Sequence, residues 1–96
     1  MKVSLHPEAE ADVAEAIAFY DRRTPGLGTD FLGEVLRVFD AIESAPEAWP
    51  VIEAPVRRCL VDRFPYVVFY RVDPSEIFVL AVMHGRRRPG TWRARA

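Results

Sequence analysis

Apolar positions along the chain change period twice, and each change marks an element boundary. Residues 2–6 alternate, with Val3 and Leu5 on one side of a short extended segment. Pro7 stands where a first helical residue has no use for its N–H, and Glu8, Glu10 and Asp12 suit the positive end of a helix. From there Ala9, Val13, Ala16, Ile17 and Tyr20 recur at spacings of three and four. That predicts an amphipathic helix ending near Arg23, before Thr24-Pro25-Gly26. After Gly28-Thr29-Asp30 a second stripe begins: Phe31, Val35, Val38, Phe39 and Ile42, broadened by Leu32 and Leu36, until Pro46 stops it. Two helices joined by a short Pro/Gly turn make a helical hairpin, and both stripes are read as core.

Pro46, Pro50 and Pro55 exclude regular helix from residues 46–56, which are read as a connecting loop. The period then becomes two. Residues 57–62 are a candidate strand, followed by a turn through Arg63-Phe64-Pro65. Residues 66–72 form a strong strand closed by Asp73-Pro74-Ser75-Glu76, and residues 77–83 form another that ends at His84-Gly85. Short connections make these three strands an antiparallel meander. The expected architecture is α+β in the order β-α-α-β-β-β. A helical hairpin packs on a small, mainly antiparallel four-stranded sheet, as one domain over residues 1–96.

The last two strands do not alternate polar with apolar. Residues 66–72 are apolar on both faces except at Arg71, and residues 77–83 are apolar throughout. Strands of that kind need cover on both faces, and one helical hairpin covers only one. Two covers are open for the other face. A partner chain can lay an amphipathic segment on it, or residues 46–56, with Trp49, Pro50 and Ile52, can fold back over it.

Composition adds little until it is divided along the chain. The 96 residues are 50% hydrophobic and 28% charged, a globular balance with net charge −1. Residues 1–48 carry Lys2, Arg22, Arg23 and Arg37 against ten carboxylates, whereas residues 49–96 carry nine arginines against Glu53, Asp62, Asp73 and Glu76. Such asymmetry points one surface at an anionic partner or substrate. Every cation of the second half is arginine, whose planar fork suits bidentate contacts to phosphate or carboxylate. Cys59 is the only cysteine, so no internal disulfide forms, and its apolar surroundings suit a buried, inert thiol. No apolar run reaches the ~20 residues that span a bilayer, and no signal peptide is recognisable, so no membrane role and a cytoplasmic location are expected.

There is no Gly-rich phosphate loop after a strand and no nucleophile with a recognisable partner spacing. Two histidines and one cysteine do not make a metal site, so neither metal nor cofactor is expected. What remains is the run from His84 to Arg95 at the end of the last strand, with Arg57, Arg58 and Arg63 able to reach the same side. Arginines beside an aromatic, Trp92, are the ingredients of RNA recognition. In a metal-free ribonuclease His84 would be the acid/base group, with Arg86 and Arg87 stabilising charge. The plainer reading is a solvated tail with His84 at a strand end.

The element order and two segments resemble the RelE/ParE superfamily of type II toxin–antitoxin toxins. The segments are Phe64-Pro65-Tyr66-Val67-Val68-Phe69-Tyr70 and Leu80-Ala81-Val82-Met83-His84-Gly85-Arg86-Arg87-Arg88-Pro89, followed by Trp92 and Arg95. Pro7-Glu8-Ala9, Asp12 and Tyr20 extend the likeness over nearly the whole chain. The resemblance implies a cytoplasmic bacterial toxin held inactive by a cognate antitoxin, with Tyr66, Val68, Tyr70, Phe78 and Leu80 as the antitoxin-binding residues. It also implies a target: DNA gyrase for ParE-like members, the ribosome and its mRNA for RelE-like ones. A ribonuclease would use His84, Arg86, Arg87 and Arg63, and target binding would fall to Arg88, Trp92, Arg93 and Arg95. Val67 stands where RelE-like members carry a strand arginine, and Trp92 where they carry a C-terminal tyrosine. These departures favour ParE-like gyrase inhibition over mRNA cleavage. A degenerate, non-toxic binding module is the third reading.

Overall fold

In the computed structural model, which describes residues 1–96, the chain runs β1 (Lys2–Leu5), α1 (Pro7–Arg23), α2 (Leu27–Ser44), β2 (Val51–Glu53), β3 (Val56–Leu60), β4 (Tyr66–Val72), β5 (Glu76–His84) and α3 (Gly90–Arg93). The strands form one sheet in the order β1-β5-β4-β3-β2. β1 lies parallel to β5, from Lys2 opposite Glu76 to Leu5 opposite Val79, and every other pairing is antiparallel. The α+β class and the expected order hold, with two additions. Residues 51–53, expected as loop, pair with β3 as an edge strand, Val51 opposite Arg57. Proline excludes helix there but is compatible with an edge, so the sheet has five strands rather than four. The C-terminal run, read either as a target-binding surface or as a solvated tail, closes into the single turn α3.

Local chemistry explains the helical hairpin. The His6 imidazole caps α1 by accepting from the Glu8 N–H at 3.0 Å, and Pro7 occupies the first turn. Gly26, at φ 90°, lets the chain reverse into α2 through a conformation that side chains resist. Gly28 then brings α2 against α1: its N–H donates to Asp21 Oδ1 at 2.8 Å, and a Cβ there would lie 2.5 Å from the Ile17 carbonyl oxygen.

The hairpin covers one face of the sheet. Ala9, Ala16, Phe31, Val35 and Ile42 meet Val68, Tyr70, Ile77, Val79 and Val82 in the main core. A register shift gives β5 its second face. Phe69 pairs with Ala81 and Tyr70 with Val79, so Leu80 is an extra residue in the ladder. Val82 therefore points to the helices, while Ala81 and Met83 point away. The outer face carries its own small core of Val56, Leu80, Ala81, Met83 and Trp92, flanked by Phe69 and Phe78. The charge split along the chain becomes a split between layers. α1 and α2 carry nine carboxylates and three arginines, whereas Arg58, Arg86, Arg87, Arg88 and Arg93 belong to the sheet and the segment after it.

Candidate functional site

β1 stops at Leu5, three residues before β5 reaches Val82, and the freed edge of β5 is completed by two side chains. Asp12 Oδ2 accepts from the Val82 N–H at 3.1 Å, and Arg95 donates to the Leu80 carbonyl at 3.2 Å. The two residues close on each other at 2.6 and 3.2 Å, a two-pronged pair, and both side chains are 8% exposed. Glu8 adds a longer contact at 3.6 Å. The hydrogen bond to Asp12 holds the Arg95 guanidinium still more firmly protonated, outweighing the opposing effect of burial.

Arg95 thereby pins the end of α3, and α3 covers the outer face. The Trp92 ring stacks on Phe69 with centroids 5.3 Å apart and an interplanar angle of 17°. Arg93 is tied to Glu53 of β2 at 2.7 Å. The face that the doubly apolar strands left in need of cover is closed by the chain's own C-terminal turn. Residues 46–56 divide between the faces: Trp49 packs against the helical-side core and Pro46 accepts from the Tyr70 hydroxyl at 2.6 Å, while Val56 joins the outer core and Ile52 and Glu53 flank its cleft.

This placement corrects several sequence expectations. Val68 and Tyr70 are fully buried beneath the helices, and Tyr66 packs against the same core, because period-two alternation sends them to the face opposite Phe69. Leu80 is fully buried in the outer core, and Phe78 lies half-buried against it. A docking face made of those five residues is not open. Trp92, expected to offer its ring to a target, is 4% exposed, and Arg95 is spent on Asp12. Arg63, expected beside His84, turns to α2, where it meets Glu34 at 3.3 Å and Asp30 at 3.8 Å. Its φ of 69° belongs to the tight turn between β3 and β4.

His84 ends β5, with its ring edge-on to Tyr66 at 5.8 Å. Its Nδ1 accepts from the Arg86 N–H at 3.1 Å, which ties the ring to the turn that follows the strand. No cluster of three or more His, Cys, Asp or Glu is placed to hold a metal ion. Cys59 is buried, and burial, reinforced by Asp62, pushes its thiol up to about 11.

Three clefts surround the end of β5. One of about 410 Å³ lies between α1 and β5, with Asp12, Glu15, Phe19, Tyr66, His84 and Arg87 in its walls. A second, about 290 Å³ and largely apolar, runs from Leu60 past Pro65 to His84 and Arg86. A third, about 250 Å³, lies over the outer face between Arg58, Phe69, Arg87, Trp92 and Arg93. Of the residues expected to gather here, His84, Arg86, Arg87 and Arg93 do, and Arg88 is exposed on the same segment. Sequence reasoning missed Asp12 and Glu53 as the partners of Arg95 and Arg93, because both pairings join residues distant in the chain. Arg58 was legible: it alternates with Cys59 and shares a strand face with Val56, which sets it outward beside Phe69.

Comparison with known proteins bears on this arrangement. The sequence model described as the ParE toxin of type II toxin-antitoxin system, parDE, matches residues 3–89. Among solved structures, a chain of the chromosomal ParDE toxin–antitoxin system from P. aeruginosa superposes with a TM-score of 0.78. It is 18% identical, and the match covers 88% of this chain and 95% of that one. No curated protein sequence matches.

Proposed function

This chain belongs to the ParE toxin family and is the toxin of a type II toxin–antitoxin system with a cognate antitoxin, and we propose that it inhibits growth by binding DNA gyrase rather than by cleaving mRNA. The observation that carries this reading is the break-up of the expected ribonuclease set. Arg63 is held by α2, 3.3 Å from Glu34, and His84 is tied through Nδ1 to the Arg86 N–H. Only Arg86 and Arg87 of that set stay beside His84. Of the residues expected to bind a target, Trp92 is buried and Arg95 is paired with Asp12. What the end of the sheet does present is a binding surface of unpaired arginines, Arg58, Arg86, Arg87 and Arg88, around exposed Leu60. No helix is long and apolar enough to cross a membrane.

The test is a supercoiling assay with purified gyrase and relaxed plasmid. Inhibition that rises with added protein and is reversed by the antitoxin supports the reading. Unchanged supercoiling at large molar excess, together with cleavage of ribosome-bound mRNA, would overturn it.

A further inference from the structure

The geometry points to the cleft between Arg58 and Arg87 as a docking site for an acidic, partly apolar segment of a partner protein. The inference rests on the reading of this toxin as one that acts by binding a protein. Arg58 projects from β3 beside Phe69, its cross-strand neighbour, and Arg87 is set by a turn in which its own N–H donates to the His84 carbonyl at 3.0 Å. Both line one cleft of about 250 Å³, with the Phe69–Trp92 stack as its floor. Neither has a carboxylate within salt-bridge distance, although the other arginines of the outer face, Arg71 and Arg93, have found Asp73 and Glu53. Two unpaired guanidiniums held on a rigid strand and a tight turn over an aromatic floor repel each other, and an anion between them relieves that repulsion.

The floor decides what kind of anion fits. Unpaired bases are gripped by aromatic faces that are open. Here the Trp92 ring is stacked on Phe69 and 4% exposed, and no other aromatic ring lines the cleft. A nucleic-acid strand also needs a long basic track, and this site is short: Glu53 closes one end, and nine carboxylates occupy the helical layer behind the sheet. Apolar surface adjoins the charge instead. Ile52 lines the same cleft at 38% exposure, and Leu60, two residues beyond Arg58 on the same face of β3, is 63% exposed. Carboxylates between Arg58 and Arg87, with an aliphatic side chain against Leu60 or Ile52, satisfy both features.

The experiment follows the side-chain Nε–Hε signals of Arg58 and Arg87 in the ¹⁵N-labelled protein. Three probes are titrated: a capped peptide of alternating Glu and Leu, its Gln-for-Glu counterpart, and a single-stranded oligodeoxynucleotide of equal charge. The Glu/Leu peptide is expected to shift both signals, the Gln peptide to bind about tenfold more weakly or worse, and added salt to weaken binding. In the R58Q/R87Q double variant, with its fold checked by the amide spectrum, peptide binding is expected to fall about tenfold or more. Leu60→Ser is expected to weaken it without removing the charge dependence. Tighter binding of the oligonucleotide at these signals would make the site one for nucleic acid and overturn the inference. So would peptide binding that ignores the double substitution, or the absence of any shift. The supercoiling assay is separate. Gyrase inhibition without peptide binding sinks this site alone, and peptide binding without gyrase inhibition sinks the choice of target alone.

Discussion

Arg95, the penultimate residue, reaches Asp12 in the first helix at 2.6 Å, and the two together stand in for a missing length of edge strand. Each is nearly enclosed, so removing one leaves the other as a buried, uncompensated charge. Arg95→Ala and Asp12→Ala are each expected to cost about 3–5 kcal/mol. Arg95→Lys should recover only part of that, because one ammonium cannot reproduce the paired contacts to Asp12 while also serving the Leu80 carbonyl. Replacing both residues by leucine should cost less than the sum of the single changes. It should not restore full stability, since the Val82 N–H and Leu80 carbonyl lose their partners. Urea unfolding of the four variants measures all of this.

Trp92→Ala tests the role of α3 as a cover. The substitution removes the largest side chain of the outer core and the stacking partner of Phe69. A loss of about 3–5 kcal/mol is expected, with binding of an apolar dye appearing as Phe69, Ala81 and Met83 become accessible. A variant with unchanged stability and no dye binding would mean that α3 does not hold the face closed in solution.

Gly28→Ala should separate the helices. The added Cβ meets the Ile17 carbonyl and the Asp21 carboxylate. The carbonyl belongs to the backbone of α1 and yields only if the helix moves. Destabilisation of about 1–3 kcal/mol is expected, against a small effect for Gly33→Ala, where nothing lies within 4 Å. Thermal melts of the two variants give a direct contrast within one helix.

His84→Asn distinguishes binding from catalysis. Asparagine can still accept from the Arg86 N–H but has no acid/base function. Growth inhibition on induction without the antitoxin is expected to change by no more than about twofold. A ribonuclease that relied on this imidazole would lose roughly 100-fold or more.

The buried Cys59 thiol, pushed up to about 11, predicts both sluggish chemistry and an alkaline weakness. At pH 8 only about one molecule in a thousand carries the thiolate, so alkylation of the folded protein should be far slower than in denaturant. The native state holds this proton more tightly than the unfolded chain does. Its stabilising effect is therefore complete below the ordinary thiol range, around pH 9, and is lost as pH rises toward 11. Tyr20, Tyr66 and Tyr70, raised by the same desolvation, act in the same direction. Denaturation midpoints from pH 8 to 11 should fall, and fall less steeply in a Cys59→Val variant.

Periodicity by itself determined the helical hairpin, the three-strand meander and the first strand, because side chains at 3.6 and at 2 residues must share a buried face. The same rule showed that residues 66–72 and 77–83 need cover on two sides. The sequence also gathers its cations in the second half of the chain, and the layers of the fold turn that gradient into an acidic helical side and a basic sheet side. Three things waited for the tertiary structure. The Leu80 bulge shifts the alternation of β5 midway, so no even period could assign Val82, Ala81 and Met83 to their faces. Val51–Glu53 becomes a strand only because β3 offers it an edge. Above all, Trp92 and Arg95, read as open to a partner, are interior, because their partners Phe69 and Asp12 stand 23 and 83 residues away along the chain. Local spacing carries no record of contacts that distant. Only the folded sheet brings the last residues of the chain against the first helix, and that closure leaves Arg58, Arg86, Arg87 and Arg88 as exposed arginines of the sheet side still free to meet something else.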